Sequence, residues 1–214
     1  MEPSFGKGTV VTVGEGRGFV VETAQRLLII TAAHCLPFFP PPISFSGAEE
    51  CTYRSLVGPL GRDPTISAMC YFADPIGDIA VLGPPDEQLM SHQWDEYEAM
   101  LADARPFSVS ESPTKGPAWL LSLKGEWFQC QVWRPPNGQL FISQATKGIE
   151  GGMSGSPILA QDGSAMGVIC TSDDPPDDTE ISTEGGPHPA LTLSLPGWLL
   201  RNLPKNDGSM PEAE

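Results

Sequence analysis

The chain has 214 residues, a formal net charge of −15 at pH 7, and 40% hydrophobic residues. This length can bury a sizeable core, and the composition is typical of a globular protein and not of a disordered one. The charge argues against nucleic acid and anionic membrane surfaces as partners, because their phosphates would be repelled. The acidity has two open interpretations, solubility or a preference for basic substrates.

The first part of the chain alternates β-branched runs with short loops, which predicts a meander of strands. Strands are expected at 8–13, 19–23 and 26–31, around Ser44, and at 51–57, 66–72 and 79–82. The proline-rich run 37–42 can continue neither a strand nor a helix, so it predicts a stiff surface loop. Residues 1–83 are therefore predicted to form an N-terminal β-barrel.

Residues 84–105 are acidic and carry apolar side chains at roughly helical spacing. One helical face would hold Leu89, Gln93, Tyr97 and the pair Met100 and Leu101. This segment is predicted to be a linker with a short helix, in which His92 is a surface residue.

The second part of the chain, residues 106–203, repeats the β pattern and predicts a second barrel with a terminal helix. Strands are expected at 118–123, 126–133, 139–143, 157–160, 165–171 and 191–195, a hairpin turn at Asn137-Gly138, and a helix at 196–203. The acidic run 173–178 lacks the spacing of a calcium loop, so a solvated loop is expected and neither metal nor cofactor is predicted. Residues 204–214 are predicted to be a disordered tail.

Three short motifs carry the residue types of nucleophilic catalysis. They are Thr31-Ala32-Ala33-His34-Cys35, Gly77-Asp78-Ile79-Ala80-Val81-Leu82 and Gly151-Gly152-Met153-Ser154-Gly155-Ser156-Pro157. A serine between glycines can lie in a tight turn that exposes its hydroxyl and directs backbone N–H groups into one small space. A histidine can exchange protons near neutral pH. Singly, each motif also fits a plain structural role: a turn, a core histidine, or a residue at a strand edge.

Taken together and in this order, the motifs resemble the trypsin/chymotrypsin superfamily of serine proteases, and the serine motif is closer to bacterial Deg/HtrA-like enzymes. The resemblance runs from about Gly8 to Leu203. It implies an all-β fold of two six-stranded antiparallel β-barrels with the active site between them, a short linker helix and a C-terminal helix. It also implies a serine endopeptidase that acts on protein or peptide substrates through an acyl-enzyme intermediate.

The resemblance assigns roles to individual residues. It makes Ser154 the nucleophile, His34 the general base, and Asp78 the residue that orients His34; Asp74 is the alternative carboxylate, taken as a turn residue. The oxyanion hole would be formed by the N–H groups of Gly152 and Ser154. Substrate binding, with an uncharged specificity pocket, is implied for the following residues: Gly148, Ile149, Cys170, Thr171 and Ser172.

The residue before the nucleophile is Met153, where zymogens of the trypsin type carry an aspartate that pairs with a new N-terminal ammonium. Met153 can accept no such pair, so the oxyanion turn is expected to be ordered by packing of Met153, by neighbouring loops, by substrate or by a partner.

Five cysteines, at positions 35, 51, 70, 130 and 170, show no paired spacing. Because most of them lie in apolar runs, buried free thiols are predicted. The N-terminus lacks the features of a signal peptide, and no apolar run reaches transmembrane length. These observations favour a reducing, cytoplasmic location.

Two other functions remain open. The chain could be a catalytically silent binding module that keeps the fold, or the protease component of a larger assembly with a regulatory protein partner. An α/β-hydrolase is disfavoured, because its motifs would occur in the order Ser, Asp, His.

Overall fold

The structure of the protein is a computed structural model that describes residues 9–41, 47–136, 138–172 and 182–204. Four sequence predictions lie outside these residues, in whole or in part: the strand around Ser44, the turn at Asn137, the acidic run 173–178, and the tail beyond Pro204.

The first half of the chain forms a closed antiparallel barrel with strand order β1-β2-β3-β6-β5-β4. The strands are β1 (Val10–Val13), β2 (Gly16–Glu22), β3 (Leu27–Thr31), β4 (Thr52–Pro59), β5 (Ile66–Asp74) and β6 (Ile79–Gly83). Pairing of Val13 with Val57 joins β1 to β4 and closes the barrel. Inside it, Val13, Ile29 and Leu82 are completely buried. The runs of β-branched and apolar residues thus form strands because they fill this interior.

A helix, α1 (Ser91–Leu101), follows the barrel and packs against β5. Tyr97 and Leu101 are one helical turn apart and are its two buried residues. The side chain of His92 lies on the opposite side and is 80% exposed. The predicted helix and the surface position of His92 are confirmed, but the expectation for Leu89 is wrong, because Leu89 precedes the helix and is 64% exposed.

The second half forms a six-stranded antiparallel sheet with the order β11-β10-β7-β8-β9-β12. The strands are β7 (Lys115–Leu121), β8 (Trp127–Trp133), β9 (Leu140–Ser143), β10 (Pro157–Leu159), β11 (Ala165–Val168) and β12 (Gly185–His188). The sheet curls, since Gly167 of β11 bridges to Ala190, just beyond β12. The all-β fold of two antiparallel barrels is confirmed, the second of them as a curled half-barrel.

The C-terminal part departs from the sequence prediction in two ways. The strand predicted at 191–195 is wrong, because Leu191–Ser194 forms a short helix, α2. Leu191 and Leu195 are buried whereas Leu193 is 53% exposed, which is the burial pattern of a helix and not of an alternating strand. The last strand is instead β12, whose Gly-Gly-Pro-His sequence has low strand propensity. The predicted terminal helix is present as α3 (Gly197–Leu200).

All five cysteines are buried and none of them forms a disulfide, as predicted. Among the helices of the described residues, none is long and apolar enough to span a membrane.

Candidate active site

The first barrel brings His34 and Asp78 together. His34 lies on a short 3₁₀ helix, Ala33–Cys35, directly after β3, and Asp78 lies directly before β6. His34 Nδ1 is 2.7 Å from Asp78 Oδ2, and the His34 backbone N–H donates to Asp78 Oδ1 at 2.9 Å. Asp78 has a positive φ of 52°. Aspartate adopts this left-handed conformation more often than most other non-glycine residues.

The two side chains alter each other's ionisation. The hydrogen bond with Asp78 is the main reason that the pKa of His34 is raised above its ordinary value, against an opposing effect of burial. Burial alone would raise the pKa of Asp78, but the hydrogen bonds from the His34 ring and backbone hold it below its usual value. Asp78 is therefore ionised near neutral pH and accepts a hydrogen bond from Nδ1–H. The Nε2 atom of neutral His34 is then left as a proton acceptor.

The serine motif forms a tight turn that is anchored to both halves of the protein. The backbone N–H of Arg17, in β2, donates to the carbonyl oxygen of Ser154 at 2.7 Å. The N–H of Gly155 donates to the carbonyl oxygen of Ile169 at 2.7 Å. These two bonds fix the backbone around Ser154 between the barrel and the second sheet.

Among the described residues, three backbone donors of the turn have no hydrogen-bond partner, and the N–H groups of Gly152 and Ser154 are two of them, with that of Gly151 the third. Gly152 has a φ of +88°, a conformation that glycine adopts at no steric cost. Beneath the turn, the Met153 side chain is completely buried and its sulfur accepts the Glu150 N–H at 3.3 Å. Packing of Met153 therefore supports the turn, in keeping with the expectation for this position.

A cleft of about 570 Å³ is lined by residues of the histidine and serine motifs. His34, Gly152 and Ser154 all line it, and Asp78 contacts His34 from behind. The side chain of His34 is 47% exposed and that of Asp78 is 28% exposed. The histidine is thus accessible from solvent through the cleft, while the carboxylate is more sheltered.

The residues predicted to bind substrate occupy the second half. Gly148 and Ile149 are buried, and Thr171 and Ser172 are exposed. Cys170 is buried; its N–H donates to His188 Nδ1 at 3.1 Å and its thiol to the Asp78 carbonyl oxygen at 3.3 Å. The Cys170 N–H is therefore already paired within the protein.

A family model described as the trypsin-like peptidase domain matches residues 16–168. The chain belongs to this family. No curated protein matches it significantly.

Several solved structures are similar to this trypsin-like peptidase domain. The active form of the Rv3671c protease from M. tuberculosis is 14% identical, with 92% of this chain and 81% of that one aligned and a TM-score of 0.51. The inactive form of that protease is 18% identical over 83% of this chain and 84% of that one, with a TM-score of 0.49. The serine protease domain of the Sesbania mosaic virus polyprotein is 13% identical over 78% of this chain and 83% of that one, also with a TM-score of 0.49. At these identities the likeness concerns the fold.

Two residues near the site of this peptidase domain were not singled out from the sequence. Arg17 precedes the strand expected at 19–23, yet it lies in β2 and its buried guanidinium donates to the carbonyl oxygens of Leu121 and Ser122 at 3.0 Å each. His188 lies in β12, which was not predicted. No local signal marks either residue, because their partners are distant in the sequence.

The serine turn of this domain tolerates no side chain at Gly155. Its φ is +82°, and a Cβ there would overlap the Arg17 carbonyl oxygen. Gly155→Ala is expected to lower the free energy of unfolding by about 2–5 kcal/mol, the sum of a left-handed backbone penalty and overpacking. Urea denaturation measures this change.

Gly125→Ala is the matched control for that measurement. Gly125 has a similar φ of +77°, but a Cβ there would meet nothing within 4 Å. Gly125→Ala should therefore lower the free energy of unfolding only by the backbone penalty, about 1–2 kcal/mol. An equal decrease in the free energy of unfolding of the two variants would contradict the proposed steric constraint at the serine turn.

Proposed function

We propose that this protein is a serine endopeptidase whose catalytic residues are His34, Asp78 and Ser154. The observation that carries the proposal is the 2.7 Å contact of His34 with Asp78 in a cleft that Ser154 also lines. Membership of the trypsin-like peptidase family supports it independently. Protein or peptide chains are the corresponding substrates.

In the proposed reaction, Ser154 Oγ attacks the carbonyl carbon of the scissile peptide bond while Nε2 of His34 accepts its proton. Ionised Asp78 keeps the proton of neutral His34 on Nδ1 and stabilises the imidazolium that forms. The developing oxyanion is bound by the N–H groups of Gly152 and Ser154, which have no acceptor among the described residues. His34 then protonates the leaving amine. In the second half of the reaction, His34 accepts a proton from the water that attacks the acyl-enzyme and returns a proton to Ser154 Oγ as the acid is released.

The experiment that tests the proposal combines two readouts on the full chain. We expect covalent labelling by a fluorophosphonate probe and cleavage of peptides from a mixed library, both absent from heat-denatured protein. Labelling without cleavage would indicate a competent nucleophile that requires a particular substrate or a regulatory partner. Absence of both would contradict the proposal and favour a silent binding module.

The proposed activity has a defined dependence on pH. His34 must be neutral to accept a proton, and its hydrogen bond with Asp78 raises its pKa above the ordinary 6.5. As the pH falls through this raised pKa, His34 becomes protonated and kcat/KM is lost. The acid limb of the profile should therefore have its midpoint above 6.5 when a substrate without titratable groups is used. A midpoint below that value would contradict the assigned role of the His34–Asp78 pair.

A reducing compartment such as the cytoplasm suits the proposed enzyme, since its five cysteines are buried and form no disulfide. Burial raises the pKa of several of them, among them Cys35 to about 11, so they remain protonated and unreactive. The possibility that the protease acts in a larger assembly is part of the proposal and is tested by adding candidate partners to the labelling reaction.

A further inference from the structure

The cation of Arg17 is buried close to the serine turn without a counter-ion. Only 6% of the residue is exposed, and Arg17 takes part in none of the ion pairs among the described residues. Burial lowers its pKa from the ordinary value, although the guanidinium stays charged. A buried charge is costly, and a well-packed apolar side chain in its place is often as stable or more so. The presence of this charge therefore calls for a role beyond core packing.

The Arg17 guanidinium holds the end of β7. Its Nη1 group donates to the carbonyl oxygens of Leu121 and Ser122 at 3.0 Å each. Ser122 opens the turn between β7 and β8, where its hydroxyl accepts the Glu126 N–H at 3.1 Å. The Arg17 side chain thus fixes the backbone from which the next residue, Leu123, projects.

Leu123 lies against the proposed oxyanion hole. A Cβ on Gly152 would stand 3.5 Å from Leu123 Cδ2, and apart from the chain neighbours no other atom of the described residues lies within 4 Å of that point. The N–H groups of Gly151 and Gly152 have no hydrogen-bond partner in the described ranges, and glycines permit rotation of the peptide between them. Contact with Leu123 therefore restricts this rotation from the Gly152 side.

The backbone of Arg17 holds the other side of the serine turn. Its N–H donates to the carbonyl oxygen of Ser154 at 2.7 Å, and its own carbonyl oxygen accepts the Thr31 hydroxyl at 2.6 Å. The main chain of Arg17 thus contacts Ser154, while its side chain contacts the strand end beside Gly152. Both residues that supply the proposed oxyanion donors are thereby tied to one residue of β2.

We propose that the Arg17 side chain is a positioning residue for the oxyanion hole, which holds the end of β7 so that Leu123 keeps the Gly152 N–H directed into the cleft. The proposal rests on the proposed function, since the oxyanion hole is that of the peptidase. Met153 cannot form the ion pair that orders this turn in zymogens of the trypsin type. The β7–β8 turn, held by Arg17, is then a neighbouring loop that orders it together with the packing of Met153.

Arg17→Met tests the inference in the full chain, since methionine keeps an unbranched apolar side chain but has no N–H donor. The concentration of competent enzyme is set by fluorophosphonate titration carried to completion. Outright removal of an oxyanion donor lowers kcat by about 10²–10³-fold, so misdirecting one should lower kcat by at least about tenfold. KM should stay within about twofold, because the contact matters in the transition state.

The acid midpoint of the pH profile should be the same in Arg17→Met as in the parent, because the hydrogen bonds between His34 and Asp78 do not involve Arg17. An unchanged kcat with a lowered thermal unfolding midpoint would assign Arg17 a structural role only and overturn the inference.

Two further variants separate positioning from packing. Arg17→Lys keeps a charged donor of nearly the same reach and should raise kcat severalfold above that of Arg17→Met. Arg134→Met is the matched control and should keep the kcat of the parent. Arg134 also donates to two backbone carbonyl oxygens, those of Ser112 at 3.4 Å and Pro135 at 3.5 Å, but to none in the serine turn. Failure of Arg17→Lys to recover, or an equal fall in Arg134→Met, would contradict the inference.

Leu123→Ala keeps the test decisive even if Arg17→Met does not fold. Leu123 is 44% exposed, so its truncation should cost little stability, yet it removes the contact with Gly152. It should lower kcat with KM unchanged, whereas loss of a substrate contact would raise KM. Leu193→Ala, at a residue of α2 that is 53% exposed, is the matched control and should keep the kcat of the parent. Full kcat in Leu123→Ala would overturn the inference.

NMR provides a readout that needs no turnover. In protein isotope-labelled at glycine, the Gly152 amide signal should shift in Arg17→Met and in Leu123→Ala and stay in place in Arg134→Met. An unshifted Gly152 signal in Arg17→Met would overturn the inference. The proposed function fails separately: absence of labelling and cleavage in the unmodified chain, with the Gly152 response retained, would remove the peptidase and leave an ordered turn in a silent binding module.

Discussion

Ser154→Ala is expected to lower kcat for peptide cleavage by about 10⁶-fold, the loss that follows removal of the serine from a comparable triad. Alanine leaves no oxygen to attack the scissile carbonyl, although the turn and its backbone donors remain. Fluorophosphonate labelling should disappear at the same time. The fold should be retained, since the backbone hydrogen bond between Arg17 and Ser154 does not involve the serine side chain.

Ser156→Ala is the matched control for that variant. Ser156 lies two residues further along the chain, is completely buried, and its hydroxyl has no partner among the described residues. Removing this hydroxyl should leave labelling and cleavage intact and cost little stability. Full activity in Ser154→Ala, or an equal loss of activity in Ser154→Ala and Ser156→Ala, would contradict the assignment of the nucleophile.

Asp78→Asn is expected to lower kcat by about 10⁴-fold, because the amide favours the wrong tautomer of the histidine. The asparagine NH₂ would donate to His34 Nδ1, which must then be unprotonated and leaves the proton on Nε2. In that form the ring cannot accept a proton from Ser154. The asparagine oxygen can still accept the His34 backbone N–H, so the local backbone should be preserved.

Asp74→Asn distinguishes the two candidate carboxylates. Asp74 lies at the end of β5, and its Oδ1 accepts the Ile76 N–H at 2.9 Å in the turn that precedes Asp78. Asp74→Asn should keep kcat within a few-fold of the parent, since an asparagine oxygen can accept the same Ile76 N–H in the turn. Nitrogen NMR of the His34 ring reports the tautomer directly. Loss of activity in Asp74→Asn with retention in Asp78→Asn would reverse the assignment.

Local patterns were sufficient for most of the strands, whereas the candidate triad followed from the resemblance of the three motifs, in their order, to a serine protease family. The runs that became β3 and β6 are apolar and β-branched, so they favour strands wherever they pack. His34 and Asp78 each lie at the end of such a run, which places them at neighbouring strand ends once β3 and β6 pair. The choice of Asp78 over Asp74 followed from the same reasoning, and the 2.7 Å contact with His34 agrees with it.

Sequence patterns predicted the wrong secondary structure where the local preference of a segment differs from what its packing against distant residues requires. Alternating leucines at 191, 193 and 195 predicted a strand, but Leu191 and Leu195 share one helical face against the core. The Gly-Gly-Pro-His sequence of β12 has little strand propensity and is extended because it pairs with β9. In both segments the packing partners, and not the residues themselves, determine the backbone conformation.

The fold class followed from the resemblance of the three motifs to a known family. By itself the sequence determined most of the strands, the positions of His34, Asp78 and Ser154 relative to their strands and turn, and the burial of the cysteines. These features depend on patterns over a few residues, which act on the backbone nearby. Only the tertiary structure placed Arg17 against the carbonyl oxygens of Leu121 and Ser122, and His188 against the N–H of Cys170. Arg17 is separated from Leu121 by 104 residues, and no local pattern encodes such a contact; it exists because closing the barrel and curling the second sheet bring distant strands together.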